Sequence, residues 1–170
     1  MHSPTLLTAF IILPNDSSPF CFYSSTGAVL RIARVVAQAG DGSCLFHSMS
    51  FGIKDGSNAR TLRGEISAYI QHHPQTTICE TPLSEWVKWD SGISCTEYAR
   101  KMKNGAWGGG IEMACMSALK ACNVHVYKSL KLGGFKRISA FDHPVNPELK
   151  KTIRVLYRGG VHYDALVKIV

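Results

Sequence analysis

Two groups of residues, far apart in the chain, carry the side chains that a thiol nucleophile requires. Gly40-Asp41-Gly42-Ser43-Cys44-Leu45-Phe46-His47 puts a cysteine at the opening of a predicted helix, directly after a glycine-containing turn. Near the C-terminus, His162-Tyr163-Asp164 puts an imidazole and a carboxylate two residues apart on an apolar strand. A thiolate attacks carbonyls well, but a cysteine at its ordinary pKa is mostly thiol near neutrality and needs help. A helix that starts at Cys44 offers that help, because its unpaired amides and dipole favour negative charge on sulfur. The loop Asp41-Gly42-Ser43 can also turn backbone N–H groups toward the place where a tetrahedral oxyanion forms. Taken alone, this segment reads equally well as a buried structural cysteine beside a glycine turn.

His162 follows Arg158-Gly159-Gly160-Val161, a hairpin-like turn between two predicted strands. Such a histidine can sit on the rim of a sheet opposite a helix terminus, act as general base toward Cys44 and then protonate a leaving amine. Asp164 falls on the same strand face as His162, because side chains alternate with a period of two, and so can orient the imidazole from behind. On these residues alone, a strand-end histidine with no catalytic duty stays open.

The elements that must position these groups follow from periodicity. Residues 34–38 read as a short strand leading into the glycines, and a helix from Cys44 should end before Lys54. Residues 60–72 form a clearer helix, with Leu62, Ile66, Tyr69 and Ile70 on one face and Arg60, Arg63 and Gln71 toward solvent, stopped by Pro74. Residues 84–104 hold a further helical piece bearing Trp86, Trp89 and Tyr98. In 111–122, Ile111, Cys115, Ala118, Leu119 and Cys122 make a buried stripe at helical spacing. Strands are expected at 124–127, 137–141, 152–157 and 163–170. Helices early and strands late indicate an α+β domain, with a central mixed or antiparallel sheet flanked by helices.

The chain of 170 residues reads as a single domain spanning 1–170, with 1–33 as an N-terminal extension packed on it. Its six cysteines are scattered singly, with no paired spacing, which fits a reducing compartment. The apolar stretch at 6–13 lacks a basic flank and a cleavage site and is too short to span a membrane, so it reads as a core strand or docked segment. The formal charge of +7 attracts polyanions in general, but no run of five or more basic residues marks a specific nucleic-acid site. Cys122 and His125 lack a second close pair to complete a metal site, and Gly108-Gly109-Gly110 lacks the continuation of a nucleotide loop.

Three ordered blocks resemble the ovarian-tumour (OTU) family of cysteine deubiquitinases: residues 40–47, then Trp107-Gly108-Gly109-Gly110-Ile111-Glu112, then His162-Tyr163-Asp164-Ala165-Leu166. The resemblance runs from about Arg34 to the end, including Leu62-Arg63. It implies a papain-like fold and a triad of Cys44 as nucleophile, His162 as base and Asp164 as its orienting carboxylate. It further implies an oxyanion hole supported by the turn Asp41, Gly42, Ser43 and Cys44, with Asp41 counted among the catalytic group. Trp107, Gly108, Gly109 and Gly110 would wall a channel for a substrate tail ending in two glycines, with core packing as the equal alternative for Trp107. Glu112 and Tyr163 would be structural neighbours of the site, Glu112 as a helix cap.

The implied reaction is hydrolysis of the isopeptide or peptide bond after the C-terminal glycine of ubiquitin through a thioester at Cys44, without metal or other cofactor. Ubiquitin or polyubiquitin is the expected partner of a monomer working in the cytoplasm or nucleus, or in the host cytoplasm for a virally encoded chain. The alternatives are a protease for another ubiquitin-like modifier, or a non-catalytic module binding ubiquitin or nucleic acid. Ser43 and His47 stand where many relatives have asparagine and arginine. His47 lies near Cys44 on the helix but is expected to lack a carboxylate behind it, which leaves His162 as the base.

Overall fold

The computed structural model describes residues 27–160 and 162–169; the stretch at 6–13 and Cys21 lie outside them. In chain order the elements are β1 (Val29–Leu30), β2 (Ala33–Val36), α1 (Cys44–Ile53), α2 (Ala59–His72), β3 (Thr77–Ile78) and β4 (Thr81–Pro82). They continue with α3 (Leu83–Ser91), α4 (Cys95–Lys103), α5 (Gly110–Lys120), β5 (Asn123–Ser129), β6 (Phe135–Phe141), β7 (Thr152–Tyr157) and β8 (Tyr163–Lys168). No helix among the described residues is long and apolar enough to cross a membrane.

Six strands form one sheet in the order β1-β6-β5-β7-β8-β2, while β3 and β4 make a separate hairpin. β5 and β7 run parallel and the other pairs antiparallel, so the sheet is mixed and the architecture α+β, as the sequence indicated. Alternation along the strands gives the sheet two apolar faces. Ile153 and Val155 point into the main core with α1, whereas Leu156 meets Tyr127 and Leu166 in a smaller cluster with Leu30, Val35 and Phe135. α1 lies against β7 and β8. Its Gly52 sits close against Ile153 of β7, and Phe46 and Met49 of the same helix are fully buried, each worth about 1.5–3 kcal/mol of apolar burial.

Several local expectations change. The single helical piece expected within 84–104 is two helices: Gly92 ends α3 in the left-handed conformation, and Ser94 starts α4 by accepting from the Glu97 amide at 3.2 Å. α5 does not present a stripe. It is buried on all sides from Ile111 to Ser117, because α2 packs on it from one direction and β5 and β6 from the other, and it stops at Ala121 before reaching Cys122. Arg63 does not face solvent but is buried, with its guanidinium over the Phe46 ring at 4.1 Å.

Candidate active site

Cys44 is the first residue of α1 and is nearly buried. The turn before it depends on Gly42, whose φ of +83° is a conformation that side chains rarely allow. One helical turn on, the buried Ser48 hydroxyl lies 2.9 Å from the Cys44 carbonyl and 3.3 Å from that of Tyr163. This bridge ties the start of α1 to the start of β8, the residue after His162. A serine inside a helix gave no sequence signal for such a role.

His162 sits in the turn joining β7 to β8, which is closed by Arg158 N–H donating to the His162 carbonyl at 3.0 Å. Its Nε2 lies 3.0 Å from Asp164 Oδ1. A carboxylate only accepts, which assigns the ring proton to Nε2 and leaves the Nδ1 lone pair to take a proton from a thiol. Asp164 is nearly fully buried and accepts twice more, from the Gln38 amide at 2.9 Å and from Arg158 Nε at 2.7 Å. Burial pushes its carboxyl up, but Arg158, the Gln38 amide and His162 together outweigh burial and hold it below the usual value, so it is an anion near neutrality.

Asp41 does something different. Its Oδ1 accepts from the Ser43 amide at 2.8 Å and its Oδ2 meets His47 Nε2 at 2.9 Å. The His47 bond first, then the Ser43 amide, lowers its carboxyl below the usual range. His47 therefore does have a carboxylate behind it, contrary to expectation, because the Gly42 turn folds Asp41 back along the first turn of α1. That carboxylate braces the loop. The Ser43 amide, expected as an oxyanion donor, is engaged by Asp41, so the donors left to this loop are its other amides.

Trp107 is 46% exposed, which sets aside core packing. Its indole lies along the Gly42 turn, where a Cβ on Gly42 would stand 3.4 Å from Nε1. Gly108 is pressed against α1, and a Cβ there would come within 3.0 Å of both Leu45 and Phe46. Glu112 is fully buried and accepts from the Gly109 amide at 2.6 Å and from the Tyr98 hydroxyl at 3.0 Å, as a helix cap does. Burial pushes its carboxyl up to about 7, against the pull of both donors. A cavity of about 50 Å³ lies behind this wall, lined among others by Trp107, Glu112 and the buried Tyr163. Among the described residues no cluster of three or more His, Cys, Asp or Glu side chains could hold a metal ion. His125 is instead bonded to Asp142 at 2.8 Å.

Residues 39–164 match the sequence model of the family described as OTU-like cysteine protease. The chain belongs to that family. It is 28% identical over 131 residues to the Saccharomyces cerevisiae ubiquitin thioesterase OTU1, and 26% identical over 137 residues to the Arabidopsis thaliana ovarian tumor domain-containing deubiquitinating enzyme 4. These alignments take in 74% and 78% of this chain but 36% and 43% of the relatives, so the chain spans less than half the length of either. Two solved structures share the OTU fold. An ovarian tumor domain in complex with ubiquitin superposes with a TM-score of 0.59 at 24% identity, over 79% of this chain and 69% of that one. The Hazara virus OTU bound to ubiquitin gives 0.60 at 22% identity, over 86% and 92%. The family match takes in Cys44 at the α1 terminus and reaches Asp164 on β8, so the OTU-like region contains both groups that open the sequence argument.

Proposed function

We propose that this OTU-like domain is a deubiquitinase that cleaves the bond after the C-terminal glycine of ubiquitin. The observation that carries the reading is the 3.0 Å contact of His162 Nε2 with Asp164 Oδ1 at the start of β8, where Ser48 ties Tyr163 to the helix start bearing Cys44. In this mechanism His162 Nδ1 takes the Cys44 proton as sulfur attacks the glycine carbonyl, and loop amides together with the α1 terminus receive the oxyanion. Collapse of the tetrahedral species expels the amine, which leaves with the proton from His162. Water, deprotonated by His162, then hydrolyses the thioester and frees Cys44. Asp164 holds the imidazole and stabilises its cationic form.

Trp107 and Gly108 to Gly110 serve as one wall for the glycine-ending tail: the half-exposed indole lies along the Gly42 turn that leads to Cys44. A thiol mechanism needs a reduced cysteine, which supports the cytoplasm or nucleus as the site of action. The test is hydrolysis of fluorogenic amides of ubiquitin and of other ubiquitin-like modifiers, with a labelled oligonucleotide in parallel. Turnover of the ubiquitin amide, lost in Cys44→Ala, supports the reading. Turnover of another modifier alone would replace the substrate, and no turnover with strongly salt-dependent oligonucleotide binding would replace the function.

A further inference from the structure

Arg63 is a cation inside the protein, 6% exposed, and its neighbours explain what it holds. Its Nη1 donates to the carbonyls of Met102 at 2.8 Å and Ala106 at 2.5 Å, and its Nη2 to the carbonyl of Gly42 at 2.8 Å and to Ser43 Oγ at 3.1 Å. These acceptors are all uncharged. A buried guanidinium is costly unless its donors are engaged, and here both terminal nitrogens are held by backbone carbonyls from three separate places. One is the end of α4, one is the residue before Trp107, and one is the turn before Cys44.

The peptide unit joining Gly42 to Ser43 is therefore gripped at both ends. Its carbonyl accepts from Arg63, and its N–H donates to Asp41 Oδ1. In a planar trans peptide these two groups point in opposite directions, so holding both fixes the rotation of the plane. Glycine at 42, with its positive φ, would otherwise allow that plane to turn at little steric cost. The amides on either side, of Gly42 and Cys44, take their directions from it.

We infer that Arg63 is a positioning residue for acyl transfer, which with Asp41 clamps the Gly42–Ser43 peptide so that the adjoining amides face the developing oxyanion, and which fixes the Trp107 wall to the same clamp. The inference rests on the proposed thiol mechanism for its kinetic consequence, but the clamp itself can be read without substrate. Lysine at 63 keeps the charge but not the planar fork that reaches three carbonyls.

The experiment compares wild type, Arg63→Lys, Asp41→Ala and the double variant in three measurements: turnover of the ubiquitin fluorogenic amide, alkylation of Cys44 by iodoacetamide, and hydrogen exchange of the Ser43 amide. Alkylation displaces iodide at a saturated carbon and forms no oxyanion. For Arg63→Lys the expected result is kcat lower by about 100-fold, the scale of losing an oxyanion donor. KM should change less than about fivefold, alkylation should stay within about threefold, and Ser43 exchange should quicken at least about tenfold. The double variant should cost less than the two single losses combined, since both release one peptide.

Loss of turnover and alkylation in parallel would mean a structural role only and overturn the inference, as would additive losses or unchanged Ser43 exchange. Should Arg63→Lys not fold, Asp41→Ala, at an exposed loop position, still decides: wild-type kcat in that variant refutes the clamp. Absence of wild-type turnover would refute the proposed substrate, and the clamp then stands or falls on the Ser43 exchange.

Discussion

Replacing Asp164 by asparagine separates the two duties proposed for that carboxylate, orientation and charge. Oδ1 takes the Gln38 amide at 2.9 Å and His162 Nε2 at 3.0 Å, while Oδ2 takes Arg158 Nε at 2.7 Å. Asparagine has one oxygen for these three donors. The Gln38 N–H is backbone and cannot withdraw, whereas the Arg158 side chain is 47% exposed and can swing into water. The amide oxygen should therefore take the Oδ1 place, with its NH2 turned toward the position Arg158 leaves. His162 then still donates from Nε2, and Nδ1 remains the base. Only the negative charge facing the imidazolium is lost, the difference between a charge-assisted and a neutral hydrogen bond, about 1–1.5 kcal/mol. That corresponds to about a tenfold fall in the acylation rate. Single-turnover acylation of Cys44 by a ubiquitin amide measures it. A fall of about 10⁴-fold, the size of a wrong-tautomer defect in a serine protease triad, would show that the amide turns the other way and refute the argument.

Three further outcomes follow from other contacts. Glu112 ionises near 4.5 when unfolded but at about 7 in the fold, so the native state binds more protons between these values and stability falls as pH rises through that window, by about 3 kcal/mol in total. Urea midpoints at pH 5 and pH 8 should show this fall in wild type and not in Glu112→Gln, whose amide can still accept from Gly109 and donate to Tyr98; a pH-independent wild type would contradict it. Ser48→Ala removes the bridge between Cys44 and Tyr163, and should lower thermal stability by about 1 kcal/mol, or about 2–4 °C, and acylation by about tenfold. Unchanged acylation in that variant would mean that the bridge does not align the two halves of the site. Gly108→Ala should destabilise by about 1–3 kcal/mol through contact with Leu45 and Phe46, and chemical denaturation at wild-type midpoint would show that the wall yields freely.

What was legible in the sequence was what local pattern controls. Thr152–Tyr157 carries enough branched and aromatic residues for β7 to be read with its observed bounds, and Pro74 marked the end of α2 closely. Gly92 was visible in the letters as a disturbance of the 84–104 piece, but the cap Ser94 with Glu97 was not read as the start of a second helix. Strands of two residues, such as β1, β3 and β4, are set by pairing partners and leave no periodic trace. Arg63 was misread because a charge on a helix ordinarily faces water, and the carbonyls that receive it come from segments remote in sequence. The Asp41–His47 bond was missed for a related reason: it forms only because Gly42 bends the chain back. The residue types suggested pairing Cys44 with His162 but left a strand-end histidine with no catalytic duty open, and the family resemblance was what favoured the pair, since no local signal spans that separation.

The central claim is that Cys44 is a nucleophile served by His162 toward a ubiquitin C-terminus. Incubating the chain with ubiquitin bearing an electrophilic C-terminal group, followed by intact mass and peptide mapping, tests it most directly. The account predicts one adduct per chain, on Cys44, absent in Cys44→Ala and formed at least about 100-fold more slowly in His162→Ala. An adduct on the more exposed Cys79, an adduct formed equally fast without His162, or none at all would contradict it.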